Sequence, residues 1–365
     1  MTIDARATQA IELLQQLIAT PSLSREEGNT AAILDDFLRQ HNLTTQRVHH
    51  NIIARATGWT EGKPVVLLNS HHDTVKPAAG WQREPFAPTL EGDTLYGLGS
   101  NDAGASLVSL AATFLHLQER TDLPFNLLFI ASAEEEISGP KGIAAALPEA
   151  GPIDVAIVGE PTGMDMAIAE KGLMVIDGEA QGQSGHAARD EGVNALYIAL
   201  NDIEAIRTFA FDRISTFLGP TKATVTQIEA GSQHNVVPDR CRFVVDVRTN
   251  ELYTNQEVHH LLQERVSSTL TPRSYRLNSS RIVPDHPLVQ AGQQLGCRTY
   301  GSPTLSDQAL MPFPSLKMGP GDSARSHTAD EYILLSEIRA AIPRYIDLLE
   351  SVASIPAANE INTQT

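Results

Sequence analysis

Three apolar runs in this 365-residue chain stop abruptly at ionisable side chains. PVVLLNS runs into His71, His72 and Asp73, NLLFIASA into Glu134, Glu135 and Glu136, and DVAIVG into Glu160. Each run has the continuous apolar character of a strand buried on both faces. Adjacent carboxylates repel one another, so a triple glutamate at the end of a core strand needs either open solvent or a cation that offsets the repulsion. In open α/β sheets ligands bind beyond the carboxyl ends of the strands. Three acidic strand ends at one edge, with a histidine among them, have the donor types of a metal site.

Within these segments the spacing sorts the residues. Residues two apart in an extended stretch share a face, so His71 and Asp73 converge while His72 points away. His71 is expected to ligate through one ring nitrogen, and Asp73 to fix the orientation and tautomer of the imidazole. Neighbouring side chains of the triple glutamate diverge. One can ligate while the next faces substrate, where a carboxylate suits the role of base toward a metal-bound water. GLGSNDAGASL places Asp102 on a glycine-rich turn before a helix. Its G-x-G-x-x-x-x-G spacing, with no Lys-Ser/Thr, is not a nucleotide fingerprint, which leaves Asp102 as a further ligand. His327 lies in the polar loop GPGDSARSHTADE, where a lone histidine is ordinarily a surface residue. The pairs His49–His50 and His259–His260 lie in polar stretches without strand-end carboxylates and are given no role.

Those residues need a scaffold, and periodicity supplies one. Ile11, Leu14 and Ile18 recur at helical spacing. Ser24 and Glu27 have the pattern of a capping box before a second helix carrying Ile33, Leu34, Phe37 and Leu38. Strands are expected from Asn51 to Ala56 and from Val65 to Leu68, with a hairpin at LEGDTLYG. A helix carrying Leu107, Leu110, Ala111 and Leu115 should follow Asp102. The NLLFIASA strand, a short helix at KGIAAALPEA and a strand at DVAIVGEP complete an α/β domain with a mostly parallel sheet. Near residue 175 the pattern changes to strand GLMVIDGEAQG, helix GVNALYIALNDIEAI, strands TKATVTQIEA and RCRFVVDVRT, helix NQEVHHLLQERV and a last strand at SYRLNSS. That β-α-β-β-α-β order is the ferredoxin-like unit. The expected organisation is a catalytic domain formed by residues 1–172 and 282–365, with a ferredoxin-like domain of residues 173–281 inserted between. Helices at HPLVQAGQQLG and SEIRAAIPRYIDLLESVA flank a short strand at PSLKMGPG in the closing part, and the tail from Ser354 should be frayed.

Composition excludes some partners. A net charge of −17 argues against nucleic acid and anionic membrane surfaces, which require basic faces. The two cysteines, Cys241 and Cys297, form neither a zinc spacing nor a disulfide framework, which suits the cytoplasm. No apolar run reaches the length of a membrane span, and the first residues have no signal-peptide core.

Taken in order, SHHDTVKP, GSNDAGAS, SAEEEISG, VGEPTG, GQSGHAA, NVVPD and GPGDSARSHTADE resemble the dizinc amidohydrolases that include acetylornithine deacetylase, succinyl-diaminopimelate desuccinylase and aminoacylases, with acetylornithine deacetylase the nearest in look. The resemblance implies two Zn²⁺ per chain, with Co²⁺ or Mn²⁺ as possible substitutes. His71 and Glu160 would hold one ion, Glu136 and His327 the other, and Asp102 would bridge. Asp73 would support His71, and Glu135 would be the general base. It further implies that His186 stabilises the oxyanion, that Asn235 contacts substrate and that Arg248 pairs with the substrate carboxylate. It also implies a homodimer formed through the inserted lid domain. The implied reaction is hydrolysis of a small N-acyl amino acid, such as N-acetylornithine or N-acetylcitrulline in arginine biosynthesis. An N-succinyl amino acid or a dipeptide falls within the same chemistry. Many relatives carry Asp-Met-Lys-Gly where this chain has Asp102-Ala103-Gly104, a difference that leaves the ligand set intact.

Two readings of another class compete. A metal-free glycosidase built on a carboxylate pair would leave His71 and His327 without work. A non-catalytic, metal-stabilised binding protein would have no use for a base beside its ligands.

Overall fold

The computed structural model describes residues 1–189 and 191–356, and the expected frayed tail falls mainly outside them. The chain divides into two compact units. One comprises Met1–Ile168, Arg281–Tyr300 and Ser306–Thr365, and the other Ala169–Ser280 with Gly301–Leu305.

The first unit is built on a mixed sheet that includes, in spatial order, the strands Thr45–Val48, Asn51–Arg55, Asn126–Ser132, Val65–His71, Val155–Val158 and Ser315–Lys317. The last four of these are mutually parallel, Asn51–Arg55 joins them antiparallel, and Thr45–Val48 pairs antiparallel with it at the edge. Every residue of the strands Val65–His71, Asn126–Ser132 and Val155–Val158 is buried, as their unbroken apolar character requires. Helices Ile3–Ile18, Ala105–Leu117 and Leu335–Ser351 contribute Leu14, Phe114 and Tyr345 to one core, while Ile143 and Ala146 of helix Ile143–Ala150 join a second core with Leu67 and Ile130. Fully burying one such side chain stabilises the fold by about 1.5–3 kcal/mol. Among the described residues no helix is long and apolar enough to cross a membrane.

The second helix, Gly28–Gln40, corrects one expectation. Its N-cap residue is Glu27, with no side-chain cap, so Ser24 and Glu27 form no capping box. The reason lies in competing partners. The Ser24 hydroxyl donates to Asp73 Oδ2 at 2.7 Å, and the buried Glu27 carboxylate accepts from the N–H groups of Arg25 and Glu134 at 2.7 and 3.1 Å.

The second unit carries an antiparallel sheet in the order Lys222–Ala230, Arg240–Arg248, Met174–Gln181, Thr269–Pro272, with helices Ala195–Thr208 and Asn255–Gln263. The last strand is therefore Thr269–Pro272 and not SYRLNSS. Leu270 enters the core there. The carbonyls of Tyr275 and Leu277 are instead taken up by the Asn255 side-chain amide at 3.3 and 2.8 Å, which leaves that segment no need of a strand partner.

Candidate metal centre

Register in the parallel sheet brings the three acidic strand ends to one edge. His71 lies level with Ser132, and Asn69 with Val158, so Glu134–Glu136 and Glu160 emerge side by side. Asp102 arrives from the turn preceding helix Ala105–Leu117, after Gly99 at φ 75°. That turn is pinned by the buried Glu331, whose carboxylate accepts from the backbone N–H groups of Gly99, Asn101 and Asp102 at 3.1, 2.9 and 2.9 Å. His327 follows the short turn Ser323–Arg325 in the left-handed region, at φ 59°.

The ligand atoms converge. His71 Nε2 lies 3.2 Å from Asp102 Oδ1, 3.8 Å from Glu135 Oε2 and 4.0 Å from Glu160 Oε1. His327 Nε2 lies 3.0 Å from Glu136 Oε2 and 3.6 Å from Asp102 Oδ2. Asp102 thus turns one carboxylate oxygen toward each histidine. Two sets, His71 with Asp102 and Glu136, and His71 with Glu135 and Glu160, each keep their donor atoms within 4.8 Å of one another.

Asp73 lies behind this cluster with more partners than the sequence indicates. Its main-chain carbonyl is 3.0 Å from His71 Nδ1. Its carboxylate accepts from the N–H groups of Glu135 and Glu136 at 3.0 and 3.2 Å. One residue therefore fixes both the histidine and the glutamate turn. With Nδ1–H donated to a carbonyl, Nε2 presents its lone pair to carboxylates. Lone pair against carboxylate is stable only with a proton or a metal ion between them, so the residues present fit a cation at this position.

The electrostatics point the same way. Burial works against charge on His71, but Glu135, Asp102, Asp73 and Glu160 outweigh it and hold its pKa well above the usual value. Burial pushes Glu135 well above the ordinary carboxyl range, with Glu160, Asp307 and Glu136 adding to it. Burial, with Asp102 nearby, raises Glu160 to about 8. The hydrogen bond to Glu136 lifts His327 to about 9. These shifts favour protonation at His71, Glu135, Glu160 and His327, while, against burial, His71 holds Asp102 below the usual carboxyl range.

Several contributors escaped sequence reasoning. Glu134, the first of the three glutamates, is buried in the left-handed region at φ 53° and accepts from Lys141 N–H. It serves the turn and not the cluster. His50, given no role from sequence, bonds Glu27 at 2.7 Å. His72 does turn away, and its ring meets Thr30 Oγ1 and the His50 carbonyl. Asp307 is buried, accepts from the Ser132 hydroxyl at 2.6 Å, and is raised to about 7 by burial. Nothing in LSDQAL marks it, because its role depends on a strand 175 residues away in sequence.

His186, Asn235 and Arg248 belong to the second unit. His186 lies on a two-residue strand paired with Val236–Val237, and the Ala187 N–H donates to the Asn235 carbonyl at 3.0 Å, so these two residues are neighbours. Arg248 donates twice to Asp246, at 2.8 and 3.0 Å.

Comparison with known proteins extends the picture. An acetylornithine deacetylase of Klebsiella pneumoniae (strain 342) is 31% identical over 88% of this chain and 92% of its own length. A succinyl-diaminopimelate desuccinylase of Ruegeria sp. (strain TM1040) is 24% identical over 92% of each chain. In fold, a dinuclear metal-binding peptidase of the M20 family from Bacillus subtilis superposes with a TM-score of 0.74 at 18% identity, covering 96% of this chain and 100% of the other. The family described as Peptidase family M20/M25/M40 matches residues 67–351, a span that begins in the strand carrying His71 and runs past His327 into the closing helix. With the whole histidine and carboxylate cluster inside that match, the chain belongs to peptidase family M20/M25/M40 and is a metal-dependent hydrolase.

Proposed function

We propose that this protein hydrolyses the amide bond of a small N-acyl amino acid, using two divalent metal ions per chain. The observation that carries the reading is the division of Asp102, one oxygen toward His71 at 3.2 Å and the other toward His327 at 3.6 Å, as a ligand shared by two ions requires. His71 and Glu160 would hold one ion, Glu136 and His327 the other, with Zn²⁺ the expected metal on this imidazole and carboxylate set. When bound, the metals polarise the acyl carbonyl and acidify water.

The chain's own groups do the rest. Glu135 lies beside this cluster with a carboxyl group that burial makes basic, so it is suited to accept the proton of the attacking water and pass it to the leaving amine. Asp73 keeps Glu135 and Glu136 in register through their N–H groups while its carbonyl holds His71 Nδ1. On the second unit we assign His186 to the oxyanion, Asn235 to substrate contact and Arg248 to the substrate carboxylate, whose planar geometry a guanidinium matches. Residues 173–281 then act as a lid that also pairs two chains. Two buried, free cysteines support a cytoplasmic location.

The acyl group is read as acetyl and the amino acid as ornithine or citrulline, a step in arginine biosynthesis. The 31% identity to an acetylornithine deacetylase favours this reading. Desuccinylation is the second reading, favoured by the desuccinylase whose match spans 92% of both chains. The test is a hydrolysis panel of N-acetyl- and N-succinyl-ornithine, -citrulline and -diaminopimelate, on chelated protein and after addition of Zn²⁺, Co²⁺ or Mn²⁺. Turnover should vanish with the metal and return with it. Full turnover by protein that elemental analysis shows to be metal-free would overturn the proposal.

A further inference from the structure

A cavity of about 380 Å³ opens in the first unit and is lined by Arg25, Arg47, His49, His50 and Lys141, with Glu134 on its wall. In a chain of net charge −17 such a gathering of basic residues is not a sample of the general surface. Among the described residues, Arg25, Arg47 and Lys141 pair with no carboxylate. The Arg47 guanidinium is held only by the carbonyls of His49 and Gly28, at 2.9 and 3.2 Å, which orient its charge without neutralising it.

The two acidic residues nearby are already engaged elsewhere. Glu27 is fully buried and accepts from two backbone N–H groups and from His50 Nδ1. Glu134 Oε2 accepts from the Lys141 N–H at 3.2 Å and is wrapped so closely that a Cβ added at Gly139 would lie 1.9 Å from it. Glu27 Oε1 and Glu134 Oε2 face backbone donors and Glu27 Oε2 takes His50, which leaves the charges of Arg25, Arg47 and Lys141 unmatched by these two acids. Helix Gly28–Gln40 adds to the field. It starts with no side-chain cap, and its first residue abuts the cavity wall, since a Cβ on Gly28 would lie 3.7 Å from His50 Nε2 and 4.0 Å from Arg47 Nη2.

We propose that this cavity is a binding site for a phosphate group, separate from the metal centre. A planar carboxylate is satisfied by one guanidinium fork. Two guanidiniums, an ammonium and the His49 imidazole around one volume, with a helix N-terminus behind the wall, match a tetrahedral dianion with acceptors on every side. The cavity is open enough for the phosphate to be free or to carry an organic group.

Isothermal titration of the metal-loaded protein at constant ionic strength tests this, with inorganic phosphate, glycerol 2-phosphate and citrate as probes. The parent is compared with Arg25→Ser/Lys141→Ser, in which both changes fall on exposed side chains. Phosphate that binds the metals gives the same heat in both proteins, so the heat lost in the variant belongs to the cavity. We expect the cavity affinity for phosphate to fall at least tenfold in the double variant and at least threefold in Lys141→Gln alone, with metal content unchanged. Tighter binding of glycerol 2-phosphate would identify a phosphorylated metabolite, and tighter binding of inorganic phosphate the free ion. Superimposable isotherms for parent and both variants, or citrate binding tighter than either phosphate, would overturn the proposal.

Discussion

On the second unit's sheet, Asp177 meets Arg273 at 2.8 Å and Glu179 meets Arg242 at 3.0 Å, all four side chains partly open to solvent. Glu179 and Arg242 lie directly opposite on paired strands. The hydrogen bond from each arginine holds its carboxylate below the usual range. At the sheet edge of the first unit the arrangement is reversed. Asp102, Glu135, Glu136 and Glu160 crowd together, and among the described residues no arginine pairs with them; the positive charge facing them comes from His71 and His327, with Lys317 acting on Glu160. There the pKa of Glu135 and Glu160 rises. An acid matched by an arginine needs nothing further from its surroundings. Four acids faced by two histidines and one lysine are incomplete until a further cation joins them, and that separates a site from an acidic surface.

The sharpest way to break this contrast is to divide the triple glutamate. Glu135→Gln should retain both metals and lose roughly a hundred- to ten-thousand-fold in kcat, the usual contribution of a general base. Glu136→Gln should lose metal, read by elemental analysis after gel filtration. The geometry makes the experiment informative, since Glu135 also lies 3.8 Å from His71 and belongs to one of the two convergent donor sets. Metal loss in Glu135→Gln with retention in Glu136→Gln would reverse the two roles.

How far the site was legible follows from the range of each interaction. Strand identity comes from local apolar runs, and with it the positions of His71, Glu134–Glu136 and Glu160, because parallel register aligns strand ends without further instruction. Asp102 was marked by its glycines. His327 carries no local signal and stood out only through the resemblance. What remained hidden was long-range. Ser24 reads as a helix cap and is drawn to Asp73 49 residues away. Glu331 reads as loop acid and secures a turn some 230 residues earlier. Buried carboxylates that accept from backbone N–H groups leave no periodic trace.

Glu331 also lies between the two regimes, since it is a buried acid satisfied by backbone donors rather than by arginine. Burial raises its pKa to about 7, against the pull of the three N–H groups. Glu331→Gln keeps the shape, removes the charge and sets an amide NH₂ against donors. It should destabilise the metal-loaded protein by about 1.5–3 kcal/mol, the range for hydrogen bonds to charged groups, and should loosen metal retention through Asp102. Urea midpoints and metal content are the measurements. Unchanged values in both would mean that the Asp102 turn holds itself.

A third way to keep an ionisable group in the fold is to hold it neutral. His286 caps helix Pro287–Gln294, its Nδ1 accepting from Leu288 N–H at 3.2 Å, and burial lowers its pKa to about 4. The unfolded chain, with an ordinary histidine pKa near 6.5, binds the proton first as pH falls. The stability from neutral His286 is thus complete above about 6.5 and is lost as pH falls toward 4. His286→Asn keeps a capping oxygen and removes the titration. Between pH 6.5 and 4, with chelator present in both samples, its urea midpoint should decline less than the parent's. Parallel declines would show that His286 plays no part in the acid limb.

The smallest effect is expected where the acids are already matched. Arg273 donates to Asp177 at 2.9 and 2.8 Å, yet both side chains are at least half exposed. In water the Coulomb gain of such a pair is offset by the entropy of holding two long side chains and is screened further by salt. Arg273→Ala should therefore leave the urea midpoint, the metal content and kcat/KM within experimental error of the parent, at low and at physiological ionic strength. The variant bears on the contrast because it creates what the metal edge already has, a carboxylate without its arginine. Asp177 would still be solvated, so its pKa should return toward the ordinary value and stop there, which a carboxyl titration followed by NMR can read. A rise above that value, or uptake of a divalent ion by the second unit, would show that loss of the arginine alone turns an acid into a cation site. Burial, which surrounds Glu135 and Glu160 and spares Asp177, would then cease to be the deciding difference.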